Sequence, residues 1–112
     1  MIIEKNIAKF LVIESDTVLS AINKINKNNS RIVFIVDNNG LLLGAFNDGD
    51  FRRLLLSDNK INMNIPIVDV CNKTFISRKV KEHHWKISEK LNEEIHHIPL
   101  VDENHRIVAV AS

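Results

Sequence analysis

Residues 31–56 read RIVFIVDNNGLLLGAFNDGDFRRLLL. Two apolar runs, Arg31–Val36 and Leu41–Phe46, flank Asp37-Asn38-Asn39-Gly40, and apolar runs joined by an Asn/Gly-rich turn predict a β-hairpin. Asn47-Asp48-Gly49-Asp50 then opens a helix through Phe51, Leu54 and Leu55, with an Asn cap and acidic residues where the helix dipole favours them. Upstream, Val18, Leu19, Ile22 and Ile25 recur at helical spacing behind Asp16-Thr17, and Asn28-Asn29-Ser30 ends the pattern, so a helix is expected over 17–28.

The order then starts again. After a polar connector, Ser57–Asn64, come a short extended piece at Thr74–Ser77 and a helical stripe at Val80, His84, Ile87 and Leu91. Residues 96–112, HHIPLVDENHRIVAVAS, supply two more apolar runs around the turn Asp102–His105. With an offset of 65, Ile35-Val36-Asp37 falls on Leu100-Val101-Asp102, Gly44 on Ala109, Asn47 on Ser112 and Ile22 on Ile87. Such a repeat implies two similar units, 1–64 and 65–112, each too small to bury its own sheet and packed on the other. The second unit stops where its closing helix should begin, and is expected to be truncated.

The chain has 112 residues, one cysteine and a formal net charge of +1. A chain of this length buries a core without staples. Cys71 has no partner for an intrachain disulfide, which suits a reducing cytoplasm, and is expected to act as a small hydrophobe. The 15 Lys and Arg are dispersed, so the basic face of a nucleic-acid binder is missing. The apolar runs, such as Ile32–Val36, fall far short of the roughly 20 residues that span a bilayer, and Met1-Ile2-Ile3 is followed at once by charge, unlike a secretory signal.

A repeated unit whose hairpin leads into Gly-hydrophobic-hydrophobic-Ser/Thr-x-x-Asp resembles the CBS domain, and a tandem pair resembles a Bateman module. The resemblance rests on residues 31–56 and 96–112. It implies an α/β fold of two small three-stranded sheets with helices on one side, related by a pseudo-twofold axis. The form Asp48-Gly49-Asp50-Phe51-Arg52-Arg53 is similar to that in CBS pairs attached to sugar-nucleotide nucleotidyltransferases and to sugar-phosphate isomerases. A start at Met1 points to the nucleotidyltransferases, which carry the pair at the N-terminus, so a C-terminal catalytic domain outside this chain is expected.

The resemblance also implies a ligand. AMP, ADP, ATP, a guanine nucleotide or S-adenosylmethionine would place its ribose on Asp50 and its phosphate beside Asn47, which stands at the family's Ser/Thr position, with Ser112 as the phosphate contact of the second unit. A carboxylate accepts both hydroxyl hydrogens of a cis-diol, and a helix N-terminus favours an anion. The base would lie between Ile32 and Val33 in one cleft and beside Ile98 and Pro99 in the other, with Phe10-Leu11 and Thr74-Phe75 closing them. Ala109, where the first unit has Gly44, is expected to limit a ligand's approach to that backbone.

Other features have plainer readings. Asp50 serves equally as a first-turn helix acid. Arg52 and Arg53 diverge by about 100° on a helix, so at most one faces the cleft. His83-His84 and His96-His97 invite a metal, but adjacent residues on a strand point to opposite faces and no Cys or acid completes a known ligand spacing, so no metal is expected. Trp85 lies at the rim of its stripe, as an anchor for a homodimer formed through helices would. Catalytic pairings and a GxxxxGK loop are missing. The expected function is a non-catalytic regulatory module. The contrasting reading is a ligand-free dimerisation or interaction module, which the loss of the hydroxyl at Asn47 favours and the retention of Asp50 opposes.

Overall fold

The computed structural model describes residues 1–57 and 62–112, so part of the connector expected at Ser57–Asn64 lies outside the described residues. In chain order the elements are β1 (Ile3–Glu4), β2 (Leu11–Ile13), α1 (Val18–Asn28), β3 (Ile32–Val36), β4 (Leu42–Asn47), α2 (Asp48–Ser57), β5 (Arg78–Lys79), α3 (His84–Ser88), β6 (Ile98–Val101) and β7 (Ile107–Ala111). Single 3₁₀ turns lie at Ala8–Phe10 and Ile67–Asp69. None of the described helices is long and apolar enough to cross a membrane.

Strands β2-β3-β4 form one sheet and β1-β7-β6-β5 the other. The second sheet therefore has four strands where three were expected. Its extra strand is β1, which lies antiparallel to β7 with Ile3 opposite Ala111, although residues 3–4 fall within the first unit as the sequence divides it. The exchange is mutual. Asn72, which precedes the second unit's strands, bridges Ala45 on the outer edge of β4 through N–H···O bonds of 2.9 and 2.8 Å. The outer edges of β4 and β7, the closing strands of the two hairpins, are thus each covered by chain from the other unit.

The repeat is visible bond by bond. Asp37 Oδ1 accepts the N–H groups of Asn39 and Leu41 at 2.8 and 2.9 Å, and Asp102 Oδ1 accepts those of Asn104 and Arg106 at 2.8 and 3.0 Å. Those two N–H groups, that of Arg106 foremost, hold the Asp102 carboxyl below its ordinary range. The left-handed position is Gly40 (φ 85°) in the first turn and His105 (φ 61°) in the second. Both hairpins also shift register at the same place, Ile35/Val36 and Leu100/Val101.

Strand alternation divides the apolar residues among three cores. Phe34, Val36, Leu42 and Ala45 face Val101, Ile107 and Val110 of the other hairpin, with Phe10 beside them. On the opposite face of the first sheet, Val33, Ile35 and Phe46 pack under Val18, Ala21 and Ile25 of α1. Ile98, Leu100, Ala109 and Ala111 pack with Ile87 of α3. Ala111 stands where the first unit has Phe46, so this third core is smaller.

Helix α3 is shorter than its stripe predicts, and His84 is exposed rather than buried. Val80 and Leu91 still pack on the third core, from outside the helix. The helix ends because the next bonds, from Lys90 to Ile87 and Leu91 to Ser88, tighten to 3₁₀ spacing, and Asn92 Oδ1 then takes the N–H groups of Glu94 and Ile95 at 2.7 and 2.8 Å. An Asn side chain that bonds nearby backbone competes directly with helix continuation. Thr74–Ser77 is irregular, and the strand at this edge is instead Arg78–Lys79, parallel to β6.

The smallness of Gly44 serves packing. A Cβ on Gly44 would stand 2.5 Å from Cys71 Sγ and 3.1 Å from the Asn72 carbonyl oxygen. Cys71 is half-buried against the α1 core, and burial pushes its thiol pKa up, which keeps it an inert packing group. Gly44→Ala is therefore expected to destabilise the chain by about 1–3 kcal/mol in urea unfolding, the scale of local overpacking. Cys71→Ala added to it should recover more than half of that loss; a Gly44→Ala chain as stable as its parent would refute this account.

Candidate functional site

Between the two units opens a cleft of about 650 Å³. The sheet wall is built by alternation: Ile32 and Phe34 of β3 face it, together with Pro99 of β6. Thr74, Phe75 and Ile76 close one side, and His96 and His97, just ahead of β6, close another. At the mouth stand Asn47, Asp48, Gly49, Asp50 and Arg53, where β4 runs directly into α2.

The start of α2 is a reciprocal cap. Asn47 Oδ1 accepts the Asp50 N–H at 2.8 Å, and Asp50 Oδ2 accepts the Asn47 N–H at 3.0 Å. The other carboxylate oxygen, Oδ1, accepts from Arg53 Nη2 at 2.7 Å. The Asp50 side chain is only 14% exposed, so the carboxylate is held in one orientation at the edge of the cleft. Arg52 does not line the cleft and Arg53 does, as the divergence of neighbours on a helix requires.

Asn28 builds the adjoining stretch of the rim. Its Nδ2 donates to the carbonyls of Lys9 and Ile32 at 3.0 and 2.9 Å, and its Oδ1 accepts from the N–H groups of Ser30 and Arg31 at 2.9 and 3.2 Å. This clamp holds Arg31 in the left-handed region at φ 63°, a conformation that non-glycine residues adopt only when their surroundings impose it. The Arg31 side chain is exposed at the rim, 3.9 Å from Asp48. His97 is half-buried, with its ring 5.7 Å from that of Phe10; burial first, and then its neighbour His96, lower its pKa and favour the neutral imidazole.

Of the residues expected around Asp50, Asn47 and Ile32 line this cleft with it; Thr74 and Pro99, expected in a second cleft, line this same one, because the two hairpins pack together around it. Val33 and Ile98 do not. They are the strand neighbours of Ile32 and Pro99, so the pleat turns both into the helix-covered cores, where each is fully buried. Phe10 does not line the cleft but lies behind it, 1% exposed, against Phe34 and His97. Leu11 pairs with Phe34 within the sheet. Ser112 is taken up by backbone bonds of 2.7 and 2.8 Å with Ile2, away from this cleft.

Phe34, Arg53, His96 and His97 were not singled out for this site. Period-two alternation from Ile32 reaches Phe34, and the offset of 65 carries Ile32 onto His97. Both histidines of the 96–97 pair line the cleft, since they precede β6 and escape strand alternation. Among the described residues no three His, Cys, Asp or Glu side chains are grouped to hold a metal.

Residues 4–57 match the CBS domain family model. Comparison with curated proteins gives no match. Among solved structures, the CBS domain pair of protein MJ0100, in complex with 5′-methylthioadenosine and S-adenosyl-L-methionine, is 22% identical with a TM-score of 0.72, over 92% of this chain and 83% of that one. CbpB of Listeria monocytogenes, in complex with c-di-AMP, is 16% identical with a TM-score of 0.76, over 91% and 78%. OpuCA of Staphylococcus aureus is 16% identical with a TM-score of 0.73, over 92% and 84%. Residues 4–57 are thus similar to the CBS domain, and the chain has, across both of its units, the fold of a CBS domain pair.

Proposed function

We propose that this chain is a non-catalytic regulatory module that binds an adenosyl or guanosyl nucleotide in the cleft beside Asp50. The observation that carries this reading is the placement of one oriented carboxylate at the edge of a cleft with apolar walls. Ile32, Phe75 and Ile76, each half-buried on the cleft wall, offer the apolar contact a purine needs, and Asp50 offers acceptors to a ribose diol. A volume of about 650 Å³ suits a mononucleotide. Adenosyl ligands in MJ0100 and CbpB support the ligand class. Asn47 and Arg53 line the same mouth and would meet the phosphate.

The form of residues 48–53 supports an attached sugar-1-phosphate nucleotidyltransferase as the regulated domain, in the cytoplasm where such nucleotides are made. Occupancy of the cleft changes the contacts between the two units, and those units would pass the change to the catalytic domain. In the full-length protein, the rate of nucleotidyl transfer should respond to the nucleotide that binds here.

A second reading, a homodimerising module, is favoured by one observation: α2 has no fully buried residue, and Leu56 is 79% exposed. Trp85 of α3, 60% exposed, widens no core and is likewise available to a partner. The two readings are compatible, since a dimer formed through helices leaves the cleft open.

Asp50→Asn keeps an oxygen for the Asn47 N–H and removes the charge, so it should weaken nucleotide binding about 10- to 100-fold, the value of charge-assisted hydrogen bonds of roughly 1.5–3 kcal/mol. Calorimetric titration with AMP, ADP, ATP, their guanine counterparts and S-adenosylmethionine checks this. Binding unchanged by Asp50→Asn would remove the ribose assignment. For the second reading, Leu56→Glu should shift the species seen in sedimentation toward monomer, whereas a parent chain that is monomeric at high concentration would dispose of it.

A further inference from the structure

Asp50 does not stand open to a ligand. One oxygen serves the Asn47 N–H at 3.0 Å, and the other is held by the Arg53 guanidinium at 2.7 Å. Arg53 reaches back one turn to make this bond, and Gly49 makes room for it: both Nη1 and Nη2 lie 3.3 Å from where a Gly49 Cβ would stand. The guanidinium thus lies over the first turn of α2, on the side of Asp50 that faces the cleft mouth, and itself lines the cleft. The Arg53 side chain remains 71% exposed, so it is able to leave.

We propose that Arg53 is the specificity residue of this cleft: an internal counter-ion that occupies the Asp50 carboxylate until a phosphorylated nucleotide draws it away. This rests on the reading of Asp50 as the ribose ligand and adds what selects the ligand. An uncharged nucleoside that places its diol on Asp50 must break a charge-assisted bond and leaves the guanidinium without a partner. A nucleoside phosphate breaks the same bond but brings an oxyanion that the planar guanidinium binds in two-pronged fashion. The exchange then costs little for the phosphorylated ligand and is uncompensated for the plain nucleoside. Arg31, on the same rim and only 3.9 Å from Asp48, keeps a second cation near the mouth, so loss of Arg53 reduces the preference without abolishing it.

The test is calorimetric titration of the parent, Arg53→Gln and Asp50→Asn chains with adenosine, AMP, guanosine and GMP, with thermal unfolding to verify that each variant is folded. The parent should favour the monophosphate. In Arg53→Gln the nucleoside should bind more tightly and the monophosphate less tightly, and the ratio of their affinities should fall about fivefold, the scale of one exposed ion pair. An unchanged ratio overturns the proposal. So does a weaker monophosphate with an unchanged nucleoside, because Arg53 would then be a plain phosphate contact that never blocked Asp50. If Asp50→Asn loses binding while the Arg53→Gln ratio stays fixed, the ribose assignment survives and Arg53 alone is misassigned. If neither the parent nor Arg53→Gln binds any of the four ligands, the nucleotide reading fails and takes this proposal with it.

Discussion

Two hydrogen bonds join the hairpins at the pseudo-twofold axis. The Leu42 N–H donates to the His105 carbonyl at 3.0 Å, and the Ile107 N–H donates to the Gly40 carbonyl at 3.1 Å. The offset of 65 exchanges one bond for the other, for 42 and 107 differ by 65, as do 40 and 105. Between them Leu41 bridges Arg106, so a residue meets its counterpart at the axis itself. The bonds require both turns to place a carbonyl outward at the same point, and both do so through a left-handed residue supported by an aspartate. The core flanking this joint is built of symmetric positions, Val36 with Val101, Leu42 with Ile107 and Ala45 with Val110. Each sheet has a helix on one face, and this core is what takes the apolar side chains of the other face out of water.

The cleft is a consequence of the same joint. The space between the units is bounded by the start of α2 on one side and by His96, His97 and the Thr74–Ile76 segment on the other. The two exchanged edges, β1 on β7 and Asn72 on β4, bind each unit to the chain that leads into the other. A ligand in the cleft therefore touches both units at once. That is the physical basis on which a binding event of small area can alter the relation between two units, provided it favours one arrangement over another.

The polar residues around the cleft serve folding. Asp50 and Asn47 cap α2 reciprocally, and Asn28 spends its amide on four backbone groups of the adjoining rim. The plain reading of Asp50 as a first-turn acid and the reading as a ribose ligand are not exclusive. The cap fixes the carboxylate, and a fixed carboxylate is what a diol requires, since no orientation remains to be lost on binding.

Much was legible in the amino-acid order because the information was local. The turn Asp37–Gly40 and its repeat, the Thr17 cap of α1, the αL stop at Asn29 and the Asn47–Asp50 cap depend on residues within four positions of one another, and the offset of 65 alone announces two packed units. What depended on distant chain was not legible. The role of Gly44 is set by Cys71, 27 positions away by subtraction, and the fourth strand of the second sheet by residues 3–4 at the far end of the chain. Val33 and Ile98 bear the same apolar character as Ile32 and Pro99, and only the pleat and the helices stacked on one side decide which of each pair faces the cleft. Arg53 and Asp50 could be read as neighbours on a helix; that their ion pair lies at the mouth of a cleft was decided by packing the second unit against the first, because a cavity has no sequence of its own.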